Sequence, residues 1–103
     1  MKSALRLRPE AEADLREAYR WYEQQRIGLG EDFLLCVEAS SVALRENPEQ
    51  FPKVYQEVRR MVLRRFPYSI LYLTSHDEIV VLAIFHGRRD PQTWRKRIGK
   101  RGD

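Results

Sequence analysis

Seven apolar residues run without interruption from Ile79 to Phe85, and polar residues follow at once in the segment His86–Pro91. A short apolar run rich in β-branched residues and closed by Gly and Pro is typical of a buried strand. Two more extended segments are predicted before it, at residues 58–63 and 68–74, and residues 75–78 form a short turn. Consecutive strands joined by tight turns predict antiparallel pairing.

The chain begins with a short extended segment and a helix. Leu5 and Leu7 alternate with less apolar neighbours, which predicts a half-buried strand over residues 4–8. Pro9 suits the first turn of a helix, where its missing N–H is not needed. The predicted core stripe of this helix is Ala11, Leu15, Ala18, Tyr19 and Tyr22, and its predicted solvent side is Asp14, Glu17, Arg20 and Gln24.

A second helix is predicted after the interruption at Gly28 and Gly30, and it ends at Asn47-Pro48. Residues 48–55 contain two prolines and are predicted to form a loop. The two helices therefore form a hairpin. The predicted core stripe of the second helix is Phe33, Val37, Ser40, Ser41 and Leu44.

The element order β-α-α-β-β-β predicts an α+β fold, with an N-terminal strand and a helical hairpin packed on a twisted antiparallel sheet. A chain of 103 residues with 43% apolar content predicts a single domain, 1–103, with a basic C-terminal tail at 95–103. Cys36 is the single cysteine and forms no internal disulfide. The sequence resembles no signal peptide or membrane span, so we expect a cytoplasmic protein without membrane contact.

Charge is divided unequally between the two halves of the chain. Residues 1–52 carry seven lysines and arginines against ten acidic residues, a net charge of −3. Residues 53–103 carry twelve against five, a net charge of +7. A basic half raises the local concentration of anions, so we expect it to meet nucleic acid or an acidic protein segment. The alternative is a solvated surface that serves solubility.

No motif for a cofactor or a metal ion is present, and we expect neither. The remaining candidates are groups suited to phosphate, because arginine forks match its oxygens. Alternate residues of a strand face opposite sides, so Arg59 and Arg60 cannot both serve one site. The candidate binding residues are Arg59, Arg60, Arg64, Arg65, Arg88, Arg89, Trp94 and Arg95.

His86 can act as an acid or a base near neutral pH, since an unperturbed imidazole has a pKa of about 6.5. The alternative is a hydrogen-bonded structural residue at the end of a buried strand. Trp94 can stack on a base or anchor the tail, and we favour anchoring. Tyr68 and Tyr72 can stack bases, but an aromatic pair in the core is the favoured interpretation.

Several stretches together resemble the RelE/ParE toxin superfamily, and they span nearly the whole chain. The resemblance implies the toxin of a bacterial or archaeal type II toxin–antitoxin module, with a helical hairpin on an antiparallel sheet. The stretches are Ala11-Glu12-Ala13-Asp14-Leu15, Gly28–Phe33, Phe66-Pro67-Tyr68 with Tyr72, Ile79–His86, Arg88-Arg89-Asp90-Pro91 and Trp94.

The superfamily has two branches, and the resemblance favours the ParE-like one. ParE-like members inhibit DNA gyrase, whereas RelE-like members cleave messenger RNA on the ribosome. RelE-like members carry an arginine after the tyrosine that opens the third strand, and here Ser69 stands at that position. Arg89 matches another RelE-like arginine, but Trp94 cannot replace the catalytic tyrosine because it has no phenolic proton.

Two alternatives to gyrase inhibition stay open. In a ribonuclease, His86 would be the general acid or base, and Arg59, Arg60 or Arg89 would stabilise charge on the phosphate. In a non-toxic binding domain, the fold would remain without the activity. In every case the resemblance implies a cognate antitoxin whose flexible segment wraps the toxin and neutralises its basic surface.

Overall fold

A computed structural model describes residues 3–87 and 91–99 of the chain. These residues adopt an α+β fold in which a strand and two helices precede four further strands and a third helix. The elements are β1 (Ala4–Leu7), α1 (Pro9–Gln25), α2 (Leu29–Glu46), a 3₁₀ turn (Pro48–Gln50), β2 (Lys53–Tyr55), β3 (Val58–Val62), β4 (Tyr68–Ser75), β5 (Glu78–His86) and α3 (Pro91–Gly99).

The five strands form one sheet in the order β1-β5-β4-β3-β2. The pairs β2–β3, β3–β4 and β4–β5 are antiparallel, and the hairpin connections predicted the last two of them. The N-terminal strand differs, because β1 lies parallel to β5. Two parallel neighbouring strands need a long connection between them. Here the helical hairpin and the strands β2, β3 and β4 lie between β1 and β5 in the chain and form that connection. The predicted fold class is confirmed, with this parallel edge as an addition.

Two elements formed where the sequence predicted none. Lys53–Tyr55 pairs with β3 at the edge of the sheet, although residues 48–55 were predicted to be a loop. Pro52 precedes this strand, so no pairing N–H is lost inside it. Pro91–Gly99 is helical where only a basic tail was expected from residue 95 onward. Ile98, which is 2% exposed, packs this helix on the sheet.

The hairpin between α1 and α2 is held by one carboxylate. Glu23 accepts hydrogen bonds from the backbone N–H groups of Gly28 and Gly30, each at 2.9 Å. Gly28 has φ of 92°, a left-handed conformation that glycine adopts without strain. A Cβ at position 30 would lie 2.7 Å from the Tyr19 ring, so the close approach of the helices requires glycine there. The predicted interruption is confirmed at Gly28, whereas Gly30 lies in the first turn of α2.

The sheet separates two apolar clusters. The larger one lies between the sheet and the helical hairpin, and it includes the predicted stripe residues Phe33 and Leu44, both 0% exposed. The smaller one lies on the opposite face, where α3 covers Leu82, Ala83 and Phe85. The hairpin face and the α3 face are therefore both buried, which explains the continuous apolar run of β5.

A bulge in β5 decides which way its last residues point. Leu71 pairs with Ala83 and the next residue, Tyr72, pairs with Val81, so Leu82 has no partner opposite it. The bulge reverses the alternation. Consequently Val81 and Ile84 both face the hairpin, although three positions separate them.

Candidate functional site

Arg59 donates hydrogen bonds to the backbone of the turn after α2. It lies on the hairpin face of β3, and its Nη1 donates hydrogen bonds to the carbonyl oxygens of Glu49 at 3.1 Å and Phe51 at 2.5 Å. Beside it the hydroxyl of Tyr72 donates to the carbonyl of Pro48 at 2.6 Å. Arg59 and Tyr72 thus hold the turn that follows α2. This geometry is that of a structural arginine.

Burial raises the pKa of Tyr72 to about 12, from an ordinary value of 10.0. The neutral phenol is the form that the fold accepts, so this stabilisation is complete below pH 10 and is lost between pH 10 and about 12. We expect the free energy of unfolding to fall over this range by up to about 2 kcal/mol more in the wild type than in Tyr72→Phe. Urea titrations at pH 9 and pH 11.5 check this, and equal losses in both proteins would contradict it.

The other described arginines of the candidate set are exposed and separated. Arg60 lies on the α3 face of β3, opposite Arg59. Arg64 and Arg65 lie in the β3–β4 turn, and the guanidinium of Arg65 is 5.6 Å from the centre of the Phe66 ring. Arg95 on α3 lies 5.2 Å from the Tyr55 ring centre. The arginines therefore form no single cluster.

His86 faces the hairpin and meets aromatic and acidic groups. Its ring lies 5.3 Å from the Tyr68 ring in an edge-to-face arrangement. Both residues line a cleft of about 370 Å³ between α1 and the ends of β4 and β5. The remaining lining residues are Asp14, Glu17, Ala18, Trp21 and Ile84. Among the described residues, two carboxylates and no guanidinium line this cleft.

The structure does not bring His86, Arg59 and Arg60 together. Arg59 is level with Tyr72 and His86 with Tyr68, positions four residues apart on β4, which is roughly 13 Å along the strand. Arg60 lies on the opposite face of the sheet. Arg88 and Arg89 lie outside the described residues, as does the side chain of Trp94.

Ser69 stands at the position where the resemblance implies an arginine in the RelE-like branch. It is 7% exposed and lies on the α3 face, between its cross-strand partners Val62 and Phe85. His86 faces the other side of the sheet. A hydroxyl so placed carries no charge toward a phosphate, and it cannot cooperate with His86 across the sheet.

The helical periodicity predicted that Asp14 faces solvent, and this prediction is wrong. Its side chain is 15% exposed and forms an ion pair with Arg97 of α3, whose side chain is 27% exposed. The same carboxylate accepts a hydrogen bond from the backbone N–H of Ile84 at 3.0 Å. Ile84 lies beyond Val81, where the pairing of β1 with β5 ends, so Asp14 covers an otherwise open strand edge.

A second depression, which we call the α2 groove, lies between α2 and the β3–β4 turn and has a volume of about 520 Å³. The small residues Cys36, Ala39 and Ala43 form its helical side. Arg64 and Arg65 stand at its rim. It is the place where two exposed candidate arginines meet an apolar surface.

The fold resembles solved toxin structures. A chain of the chromosomal ParDE system from P. aeruginosa superposes with a TM-score of 0.74 at 22% identity, covering 82% of this chain and 96% of that one. The toxin–antitoxin complex RelBE2 from Mycobacterium tuberculosis gives a TM-score of 0.60 at 21% identity, with coverage of 87% and 95%. This chain therefore shares its fold with chains of these two toxin–antitoxin systems.

Sequence comparison defines the family within this class. The family model of the ParE toxin of type II toxin–antitoxin systems matches residues 5–91. Toxin ParE2 of Mycobacterium tuberculosis is 28% identical over 102 residues, which cover 98% of this chain and 97% of the relative. The chain belongs to the ParE toxin family of type II toxin–antitoxin systems, and the superfamily predicted from the sequence is confirmed.

Neither a membrane-crossing helix nor a metal-binding cluster occurs among the described residues, 3–87 and 91–99. None of the helices there combines the length and the apolar composition that a bilayer crossing requires. Within the same ranges, no three side chains among histidine, cysteine, aspartate and glutamate lie close enough to hold a metal ion.

Proposed function

We propose that this chain inhibits bacterial growth by binding DNA gyrase, and that a cognate antitoxin neutralises it. The observation that carries the proposal is the match of the ParE toxin family over residues 5–91. The geometry adds support, because Arg59 is bonded to carbonyl oxygens and Ser69 is a buried hydroxyl. Arg59 thus has a structural use, and Ser69 carries no positive charge for a scissile phosphate.

The position of His86 also favours binding over RNA cleavage. A general acid in phosphoryl transfer works beside groups that stabilise the phosphate charge. Among the described residues, His86 instead lines a cleft with the exposed Glu17 and with Asp14, whose carboxylate is paired with Arg97. This arrangement supports a toxin that acts through surface contacts.

A gyrase assay with the purified protein tests the proposal. We expect the protein to inhibit supercoiling or to stabilise the gyrase–DNA cleavage complex, and His86→Gln to retain this effect. The same preparation is added to a translating extract, where messages are expected to stay intact. Absence of any gyrase effect at saturating protein would refute the proposal. Codon-positioned cuts that vanish in His86→Gln would replace it with the ribonuclease.

Neutralisation by an antitoxin is the second part of the proposal. The solved relatives come from a ParDE system and from a RelBE2 toxin–antitoxin complex. The net charge of +7 in residues 53–103 suits an acidic partner segment. Co-expression with the product of the adjacent reading frame is expected to restore growth and to yield a stable complex on gel filtration. Growth arrest that persists beside a well-expressed partner would contradict this part.

A further inference from the structure

The cleft that contains His86, which we call the α1 cleft, is bounded by α1 on one side and by the ends of β4 and β5 on the other. Glu17 and Trp21 lie one turn apart on α1, so their side chains leave the helix on the same side. Tyr68 and His86 form the strand side. A volume of about 370 Å³ is near the lower end of the range for ligand pockets, roughly 300–1,000 Å³. The cleft therefore suits one side chain or a small molecule.

The aromatic walls of the α1 cleft are held by rings beneath them. The Trp21 ring lies edge-to-face with the Tyr22 ring, with 5.1 Å between their centres. The Tyr68 ring lies edge-to-face with Phe33 at 5.2 Å and with His86 at 5.3 Å. Tyr22 and Phe33 are both buried, so they restrict the two walls. A ligand that enters between restricted walls orders little more of the protein, and this favours binding.

Exposure and charge determine which ligand the cleft can attract. Trp21 is 53% exposed, although its neighbour Tyr22 is buried. The carboxylate of Glu17 is exposed beside it, whereas that of Asp14 is mostly buried and paired with Arg97. Aromatic faces attract cations through their quadrupole, and a carboxylate attracts them through its charge. Trp21, Tyr68 and Glu17 therefore favour the same kind of group, an organic cation.

We propose that the α1 cleft binds the guanidinium group of an arginine that a partner protein presents. A guanidinium is planar, so it can stack on the ring of Trp21 or Tyr68 while its N–H groups donate to the carboxylate of Glu17. A lysine ammonium matches the charge but has no planar face. Because Trp21 and Glu17 are exposed, an arginine can enter while the partner's backbone stays outside. The inference goes beyond the proposed function and does not depend on it.

Matched ligands test this chemistry on the unaltered toxin. The protein, labelled with nitrogen-15, is titrated with N-acetyl-arginine amide, and the indole N–H signal of Trp21 is followed by NMR. Trp21→Phe identifies that signal, since the chain has two tryptophans. We expect a saturable shift. N-acetyl-citrulline amide has nearly the same shape without the charge, and we expect it to bind at least about tenfold more weakly. The lysine analogue is expected to bind severalfold more weakly than the arginine amide.

Two variants and a matched control test the residues of the cleft. Glu17→Gln removes the exposed charge and is expected to weaken binding of the arginine amide about fivefold. Trp21→Leu removes the exposed ring and is expected to weaken it to a similar extent, about fivefold. Glu12→Gln makes the same change as Glu17→Gln at an exposed residue of α1 that does not line the cleft, and affinity is expected to stay unchanged. The backbone amide signals of Ile84 and His86 report these affinities, and circular dichroism verifies the fold.

Four results would overturn the inference. The first is the absence of a saturable shift with the arginine amide at millimolar concentrations. The second is equal binding of the arginine and citrulline amides, because the cleft would then not recognise charge. The third is tighter binding of guanosine that Glu17→Gln leaves unchanged, which would make the aromatic walls a stacking site for bases. The fourth is binding of agmatine, a free amine with the same guanidinium, at least about tenfold more tightly than the arginine amide, which would replace the partner protein by a small molecule.

Discussion

Replacing Phe33 by alanine is expected to lower the free energy of unfolding by about 3–5 kcal/mol. The side chain is 0% exposed, and its ring centre lies 5.2 Å from that of Phe66 and 5.2 Å from that of Tyr68. Tyr22 of α1 adds a third ring at 5.3 Å. Deleting the ring removes contacts of α2 with α1 and with the sheet. The surrounding rings can close only part of the cavity.

Urea unfolding followed by circular dichroism measures this loss. Val42→Ala is the matched control, because it shortens an apolar side chain on the same helix that is 51% exposed. Its expected effect stays within about 0.5 kcal/mol. A loss below about 1.5 kcal/mol for Phe33→Ala would mean that the aromatic cluster repacks, and it would contradict the role assigned to Phe33 as the junction between hairpin and sheet.

Helical periodicity predicted this junction correctly for a physical reason. A helix that packs on a sheet buries one stripe, so Phe33 and Leu44 recur at the spacing of the buried face. The same logic predicted Ala11, Ala18 and Tyr22, which are all buried in the structure. Where burial follows one regular geometry, the pattern of apolar residues records it.

The direction of His86 could not be predicted in this way. Leu82 and Ala83 are both apolar and both buried on the α3 face, so the bulge between them leaves no mark on the hydrophobic pattern. Without the bulge, His86 would alternate onto the α3 face. Because both faces of β5 are covered, one-residue register changes are invisible in the sequence of this strand.

Residue types also indicated which chemistry a side chain can perform, but they did not indicate which hydrogen bonds it makes within the fold. Arg59 was a candidate because a guanidinium suits phosphate, but in the structure it donates to the carbonyls of Glu49 and Phe51. Those acceptors lie eight and ten residues away, on a turn predicted to be a plain loop. A contact between a strand and an irregular segment has no periodicity, so only the structure identifies it.

The third helix has the least sequence signal of all. It is strongly basic, and among its described side chains Ile98 is buried at 2% exposure. A nine-residue helix is marginal by itself, and tertiary contacts must stabilise it. Asp14 supplies one of these contacts through Arg97, across a sequence separation of 83 residues. Asp14 of α1 therefore holds the basic helix α3 in place through its ion pair with Arg97.

Replacing Asp14 by alanine is accordingly expected to destabilise the fold by about 2–3 kcal/mol and to release α3 from the sheet. The change leaves the guanidinium of Arg97 without its carboxylate, while its Nε already has no hydrogen-bond partner among the described residues. It also removes the acceptor of the Ile84 N–H at an uncovered strand edge. Urea unfolding measures the loss, and hydrogen exchange of residues 91–99 reports the release.

The variant Arg97→Met distinguishes the contribution of this partly buried ion pair from that of packing. The methionine keeps apolar contact with Phe85, over whose ring the guanidinium lies at 4.6 Å, and removes the charge. The double variant Asp14→Ala with Arg97→Met is expected to be more stable than Asp14→Ala alone, because no unpaired charge remains in it. Additive losses with unchanged exchange in residues 91–99 would show that α3 is held by Ile98 alone. Coupled losses would make Asp14 the residue that fixes the basic helix on the toxin surface.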